Sequence, residues 1–165
     1  MKILISGGKS ALALKMAKAF ASHQIVLADY GDMPNFSSSA YTFISLGEKN
    51  EDTIAHTLLN YCLNEEIDWI LPLHTFEIVA MAKAKVLFAE FNIHIILPAD
   101  NDLANYFDVK GNQKFVHWCI FKDGNTLFMS LPNEQLIQFA KAANLSGAFY
   151  FNDAETVTNL TLITF

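Results

Sequence analysis

Apolar residues occur along this chain in two alternating patterns: short unbroken runs, and longer stretches in which they return every three or four positions. Runs of the first kind, at 2–6, 24–30, 42–47, 68–73 and 92–98, have the length and composition of strands buried on both faces. Stretches of the second kind follow at 10–20, 51–64 and 77–91, and each predicts a helix. In the second of these Ile54, Leu58, Tyr61 and Cys62 fall on one face. A further helix is expected over 101–120, with a break near Gly111.

Strand and helix in strict alternation imply parallel strands joined by right-handed crossovers, with helices on both faces of one sheet. The fold class expected is therefore α/β, a Rossmann-like three-layer sandwich with a mainly parallel sheet. From Asp123 the pattern changes to a strand at 126–131, a helix opened by Pro132, and strands at 147–152 and 157–165. This reads as a small C-terminal β-α-β-β extension, so the domains expected are 1–122 and 123–165, the second packed on the first. The chain is apolar up to Phe165, which implies a buried or paired end, or a piece of something longer.

Length and charge narrow the function classes. A chain of 165 residues can bury a core without disulfides or metal, and its 52% hydrophobic content with 14 Phe suggests a very full core or a surface covered by a partner. A homo-oligomer, in the limit a purely structural dimer, is accordingly one expectation. A net charge of −6 without a basic stripe argues against nucleic acid as a partner. Gly7, Gly8 and Lys9 interrupt the first apolar run, unlike a signal peptide, and no run reaches membrane-spanning length. Cys62 and Cys119 lie far apart in helical patterns and read as reduced core residues, so a cytoplasmic protein is expected.

Two segments at the carboxyl ends of strands carry candidate chemistry, which is where such sheets bind ligands. The first is Gly7-Gly8-Lys9-Ser10. A Walker loop is excluded because Ile3 stands where its first glycine belongs, which leaves either a tight turn or a helix N-terminus able to attract an anion. Asp29 ends the second strand some twenty residues on, where a carboxylate can bind ribose hydroxyls or simply open a loop. The second segment runs from Pro72 to Glu77 and brings His74, Thr75 and Glu77 to the sheet edge. Its simpler reading makes Thr75 the cap of the next helix and Glu77 a favourable first-turn carboxylate. No catalytic residue is assigned, and the histidines lack the spacing of a metal site.

In this order, the Gly-rich first turn, the acidic end at Asp29, the aromatic-Ser loop from Phe36 to Tyr41, and the Pro-x-x-Thr-x-Glu stretch from Pro72 to Glu77 resemble the pre-ATP-grasp domain. That domain stands at the N-terminus of biotin carboxylase and carbamoyl-phosphate-synthetase-like ligases, and the resemblance covers roughly the first 120 residues. Family members continue with an Asp-Lys pair before Phe and Cys. Aligning Phe115 and Cys119 puts Gly111-Asn112 at that place, and Lys110 or Lys114 reaches it only in a shifted register. After Phe121 neither a glycine-rich lid nor an acidic metal-binding end is found, and ATP-dependent ligation needs both.

The resemblance thus implies a stand-alone module without autonomous ligase activity, which binds a small molecule or assists an ATP-grasp catalytic partner. ATP, ADP or another nucleotide is the cofactor class it suggests. The ligand-binding candidates are Gly7, Gly8, Lys9, Ser10, Asp29, His74, Thr75 and Glu77. The alternative is a nucleotide- or NAD-linked Rossmann enzyme, for which the Gly turn and Asp29 are the support.

Overall fold

The first apolar run forms β1 (Lys2–Ser6), in which Ile3, Leu4 and Ile5 are all fully buried, so that both faces of the strand are covered. Gly7 follows at φ +69, a conformation that favours glycine, and Gly8 completes the turn into α1 (Ala11–Ala17). Ser10 caps this helix by accepting the Ala13 N–H on its hydroxyl oxygen at 3.1 Å. The computed structural model describes residues 1–34, 38–107, 117–152 and 160–165.

Four further strands complete a parallel sheet: β2 (Gln24–Asp29), β3 (Tyr41–Ser45), β4 (Trp69–Leu71) and β5 (His94–Ile95). Their order is β3-β2-β1-β4-β5, with Leu4 paired to Val26 on one side and to Ile70 on the other. Connections therefore run outwards from β1 in one direction, then start again at β4 in the other. Such a reversal opens a crevice beyond the carboxyl ends of β1 and β4, the place where doubly wound sheets hold their polar sites. The helices of this unit include α2 (Ile54–Asn64), α3 (Thr75–Lys83) and α4 (Lys85–Glu90). The single helix expected over 77–91 is two helices meeting at Ala84, and it begins two residues earlier. This parallel sheet and its helices bear out the α/β, Rossmann-like expectation.

A second sheet is antiparallel, in the order β7-β6-β8-β9. It consists of β6 (His117–Lys122), β7 (Asn125–Met129), β8 (Gly147–Phe151) and β9 (Thr161–Leu162), with α5 (Glu134–Ala142) between β7 and β8. Asn133 caps α5 by accepting the Leu136 N–H on Oδ1 at 3.0 Å. The strand, helix, strand, strand order expected from Asp123 is present, with β6 added in front. The helix expected over 101–120 is not: Asp100–Tyr106 is a 3-10 segment and His117–Lys122 is a strand. The break near Gly111, Phe115, and the Lys110, Asn112 and Lys114 positions lie outside the described residues, as does Phe36.

The misreading at β6 has a physical cause. Trp118, Cys119, Ile120 and Phe121 are all buried, so both faces of β6 are covered, and a continuous apolar run has no period by which strand and helix differ. The informative signal was Asp123-Gly124. Both residues have positive φ, 49 and 74, as a two-residue hairpin between right-twisted strands requires. Because β6 pairs with β7 and β8, the compact units are Met1–Ile95 with Thr164–Phe165, and Ile96–Ile163.

Both cysteines are fully buried, Cys62 in α2 and Cys119 in β6. Burial pushes the Cys62 thiol up to about 12, and burial raises Cys119 as well, whose thiol donates to the Phe149 carbonyl. Neither thiol forms appreciable thiolate at neutral pH. Iodoacetamide at pH 8 is accordingly expected to leave both unmodified in the native protein and to label both in denaturant. Mass spectrometry showing a labelled native cysteine would contradict this packing.

Candidate functional site

The carboxyl ends of β1, β2 and β4 bring together most of the polar residues singled out in the sequence, all within the first unit. Asp29 closes β2 with its carboxylate almost fully buried. Its Oδ2 accepts the Lys9 N–H at 3.1 Å, while Oδ1 accepts the Tyr30 N–H at 2.8 Å and lies 2.9 Å from His74 Nε2. Burial works to raise the Asp29 pKa. The Lys9 N–H, the His74 ring and the Tyr30 N–H outweigh it and hold the carboxyl below its ordinary value.

His74 precedes α3 in an extended conformation, so its ring turns towards Asp29 while the helix begins at Thr75. Since the Asp29 carboxylate can only accept, His74 Nε2 is the donor of this hydrogen bond. Aromatic rings enclose this imidazole. Phe76 stacks on it at 4.8 Å between centroids, Phe165 lies at 4.7 Å and Tyr30 at 5.7 Å. Lys49 Nζ sits 3.9 Å from the centroid of the Phe76 ring.

Glu77 has no exposed surface at all. One carboxylate oxygen accepts the Ser6 hydroxyl and the other accepts the Tyr30 hydroxyl at 2.8 Å. The Ser6 oxygen in turn accepts the Leu73 N–H at 2.8 Å, so β1, β2, the β4 exit and α3 are tied through one buried carboxyl. Burial raises the Glu77 pKa, opposed by the Ser6 and Tyr30 hydroxyls and by His74. The same burial, together with the charge of Glu77, raises the Tyr30 pKa, and the phenol stays protonated as a donor. The simple reading of this segment therefore needs correcting. Thr75 is not the cap, because His74 holds that position; Glu77 is the first-turn carboxylate of α3 as expected, and it is fully buried.

Three amides of the Gly7–Ser10 turn are engaged. Gly8 N–H donates to the Ala28 carbonyl at 2.9 Å, Lys9 N–H to Asp29, and Ser10 N–H to the Gly7 carbonyl at 2.9 Å. The Lys9 ammonium donates to the Tyr30 carbonyl at 2.6 Å. Glycine at position 8 answers a packing demand, since a β-carbon there would lie 2.8 Å from the Leu27 carbonyl carbon. At Gly7 the space a β-carbon would take is filled by the Phe165 ring, whose Cζ would be 2.2 Å away.

The structure thus joins Lys9, Asp29, His74 and Glu77 in one network and sets Gly7, Gly8, Ser10 and Thr75 around it. Sequence reasoning missed Ser6, Tyr30, Phe76 and Phe165. Phe76 carried a signal, lying between the candidates Thr75 and Glu77, and so did Phe165, at an apolar end expected to be buried or paired. Across the same sheet, at its amino-terminal edge, Lys2, His23, Gln24, Tyr41 and Glu65 line an open groove of about 460 Å³. Among the described residues no group of three or more His, Cys, Asp or Glu is placed to hold a metal ion, and no helix is long and apolar enough to cross a membrane.

With this geometry, comparison with known proteins gives a likeness of architecture. No protein-family model and no curated protein matches the sequence. Among solved structures, the chain is similar to the K. lactis urea amidolyase over 99% of its length and 13% of that chain, at 12% identity and a TM-score of 0.51. The likeness is one of fold. A biotin carboxylase domain of a single-chain bacterial carboxylase is similar over 66% of this chain and 26% of that one, at 16% identity and a TM-score of 0.45. The chain spans about an eighth to a quarter of the length of these proteins.

Proposed function

We propose that this chain is an accessory domain of the pre-ATP-grasp type, which serves an ATP-grasp catalytic partner in the cytoplasm and leaves the nucleotide to that partner. One observation carries the reading. The amides of Gly8, Lys9 and Ser10 and the carboxylate of Asp29, which a nucleotide would need, are all bonded within the protein. An NAD-linked enzyme would require the same groups to be open. The fold likeness supports a domain of a larger assembly, and so do the exposed apolar residues Val79, Val86 and Leu87 on α3 and α4 and Phe91 just after α4, which suit a covered surface.

Thermal unfolding of the isolated protein is expected to be indifferent to ATP, ADP and NAD, because ligands that bind only the native state would raise its midpoint. Co-expressed with each ATP-grasp protein of the same cell, the chain is expected to co-elute stoichiometrically with one of them. A nucleotide-dependent rise in the isolated chain would overturn the reading. So would a homodimer that co-elutes with none of these proteins.

A further inference from the structure

Phe165 belongs to the first unit although Ile163 does not, and its main chain is held on both sides of His74. Its N–H donates to the Leu73 carbonyl at 3.0 Å, and its carbonyl oxygen accepts the Thr75 N–H at 3.0 Å and the Thr75 hydroxyl at 3.1 Å. This is the pattern by which an extended segment adds to another running the same way, taking main-chain bonds on alternate residues. The ring lies against Gly7, where the missing β-carbon makes its space, and beside the imidazole of His74. His74 is itself fixed from behind by Phe76 and by Asp29. The floor, the wall and three main-chain or hydroxyl partners thus all come from residues at the carboxyl ends of β1 and β4, and His74 among them is tied to the buried network beneath.

The ring is nevertheless 48% exposed, unlike the fully buried Phe20, Phe88, Phe121 and Phe149. A residue so shallowly seated is released far more readily than a core residue, because little apolar surface returns to water. We propose that Gly7, Leu73, His74 and Thr75 form a recognition site for an extended peptide segment bearing an aromatic residue, and that the chain fills this site with its own Phe165. Specificity lies in the pairing of a ring-sized space at Gly7 with an imidazole face. An aliphatic side chain would lose the ring contact that seats the segment, and the three exposed hydrogen bonds do not hold it without that contact. The inference goes beyond the accessory reading and does not depend on it.

The test empties the site and refills it. Phe165→Ala, shown to be folded by near-ultraviolet circular dichroism, is titrated with N-acetyl-L-phenylalaninamide, with the midpoint of thermal unfolding and the Thr75 amide resonance as readouts. Both are expected to move in the variant. The unaltered protein should respond at concentrations at least about tenfold higher, since its own residue competes at a millimolar effective concentration. N-acetyl-L-alaninamide should move neither. If Phe165→Ala does not fold, Phe165→Leu undergoes the same titration. A folded variant that ignores the phenylalanyl amide overturns the proposal, as does an equal response to the alanyl amide or an equal response of the unaltered protein.

Discussion

Glu77→Ala is expected to destabilise the first unit by about 2–4 kcal/mol, the size of effect that follows when buried donors lose their acceptor. The carboxyl is wholly buried, and its removal leaves the Ser6 and Tyr30 hydroxyls without the oxygens they donate to. Ser6 also holds the Leu73 N–H, so the loss spreads to the β4 exit. Glu77→Gln keeps the shape and one acceptor oxygen, and should cost less. Urea denaturation measures both, and a Glu77→Ala loss below about 1 kcal/mol would mean that the network is not needed for stability.

The pH dependence of the same site separates the two carboxyls of the cluster. The folded pKa of Glu77 lies above its ordinary value of 4.5, so its contribution is fully present below that value and is lost as pH rises through the folded one. Glu77→Gln does not titrate, and its stability should therefore improve relative to the unaltered protein as pH rises from acid towards neutral. Asp29 has the opposite sign. Its folded pKa lies below 3.8, so its contribution is present above that value and disappears as pH falls through the folded one. Asp29→Asn should consequently be most damaging near neutrality and least in acid. Stability differences that stay flat with pH for both variants would contradict both signs.

These effects also mark where sequence reasoning stopped. The runs that became β1, β2 and β4 were legible because strands covered on both faces are continuously apolar. The candidates Asp29, His74 and Glu77 were legible as positions, since strand ends in such a sheet point to its carboxyl edge. Their partners were not. Ser6 meets Glu77 across 71 residues, Tyr30 meets it across 47, and Thr75 meets Phe165 across 90, separations at which no local pattern speaks. Ser6 looks like any residue closing a strand, and Phe165 like any apolar end. Position 74 as the helix cap was hidden for another reason. The ring of His74 is drawn to Asp29, which frees Thr75 for the Phe165 carbonyl and overrides the usual capping preference of threonine.

The Gly7-Gly8 pair was legible as a turn but not in the separate demands on its two members, and Gly8→Ala exposes the difference. Gly8 needs no unusual φ; what it needs is room. A β-carbon would fall 2.8 Å from the Leu27 carbonyl carbon, 2.9 Å from the Ala28 nitrogen and 3.0 Å from the Leu27 β-carbon. Most of that obstacle is main chain in the buried strand β2, which cannot swing aside as the end of a flexible side chain can. Relief would pull the turn away from β2 and break the Gly8 N–H bond to Ala28. With it would go the Lys9 N–H that holds Asp29 below its ordinary pKa. Overpacking and the lost bond together set an expected cost of about 3 kcal/mol. Gly31→Ala is the control. It has nothing within 4 Å of the new carbon and suffers only from its φ of +71, for about 1 kcal/mol. Equal losses at the two positions, measured by urea denaturation, would show that backbone conformation rather than close approach to β2 explains Gly8, and would leave the turn free to move off the strand.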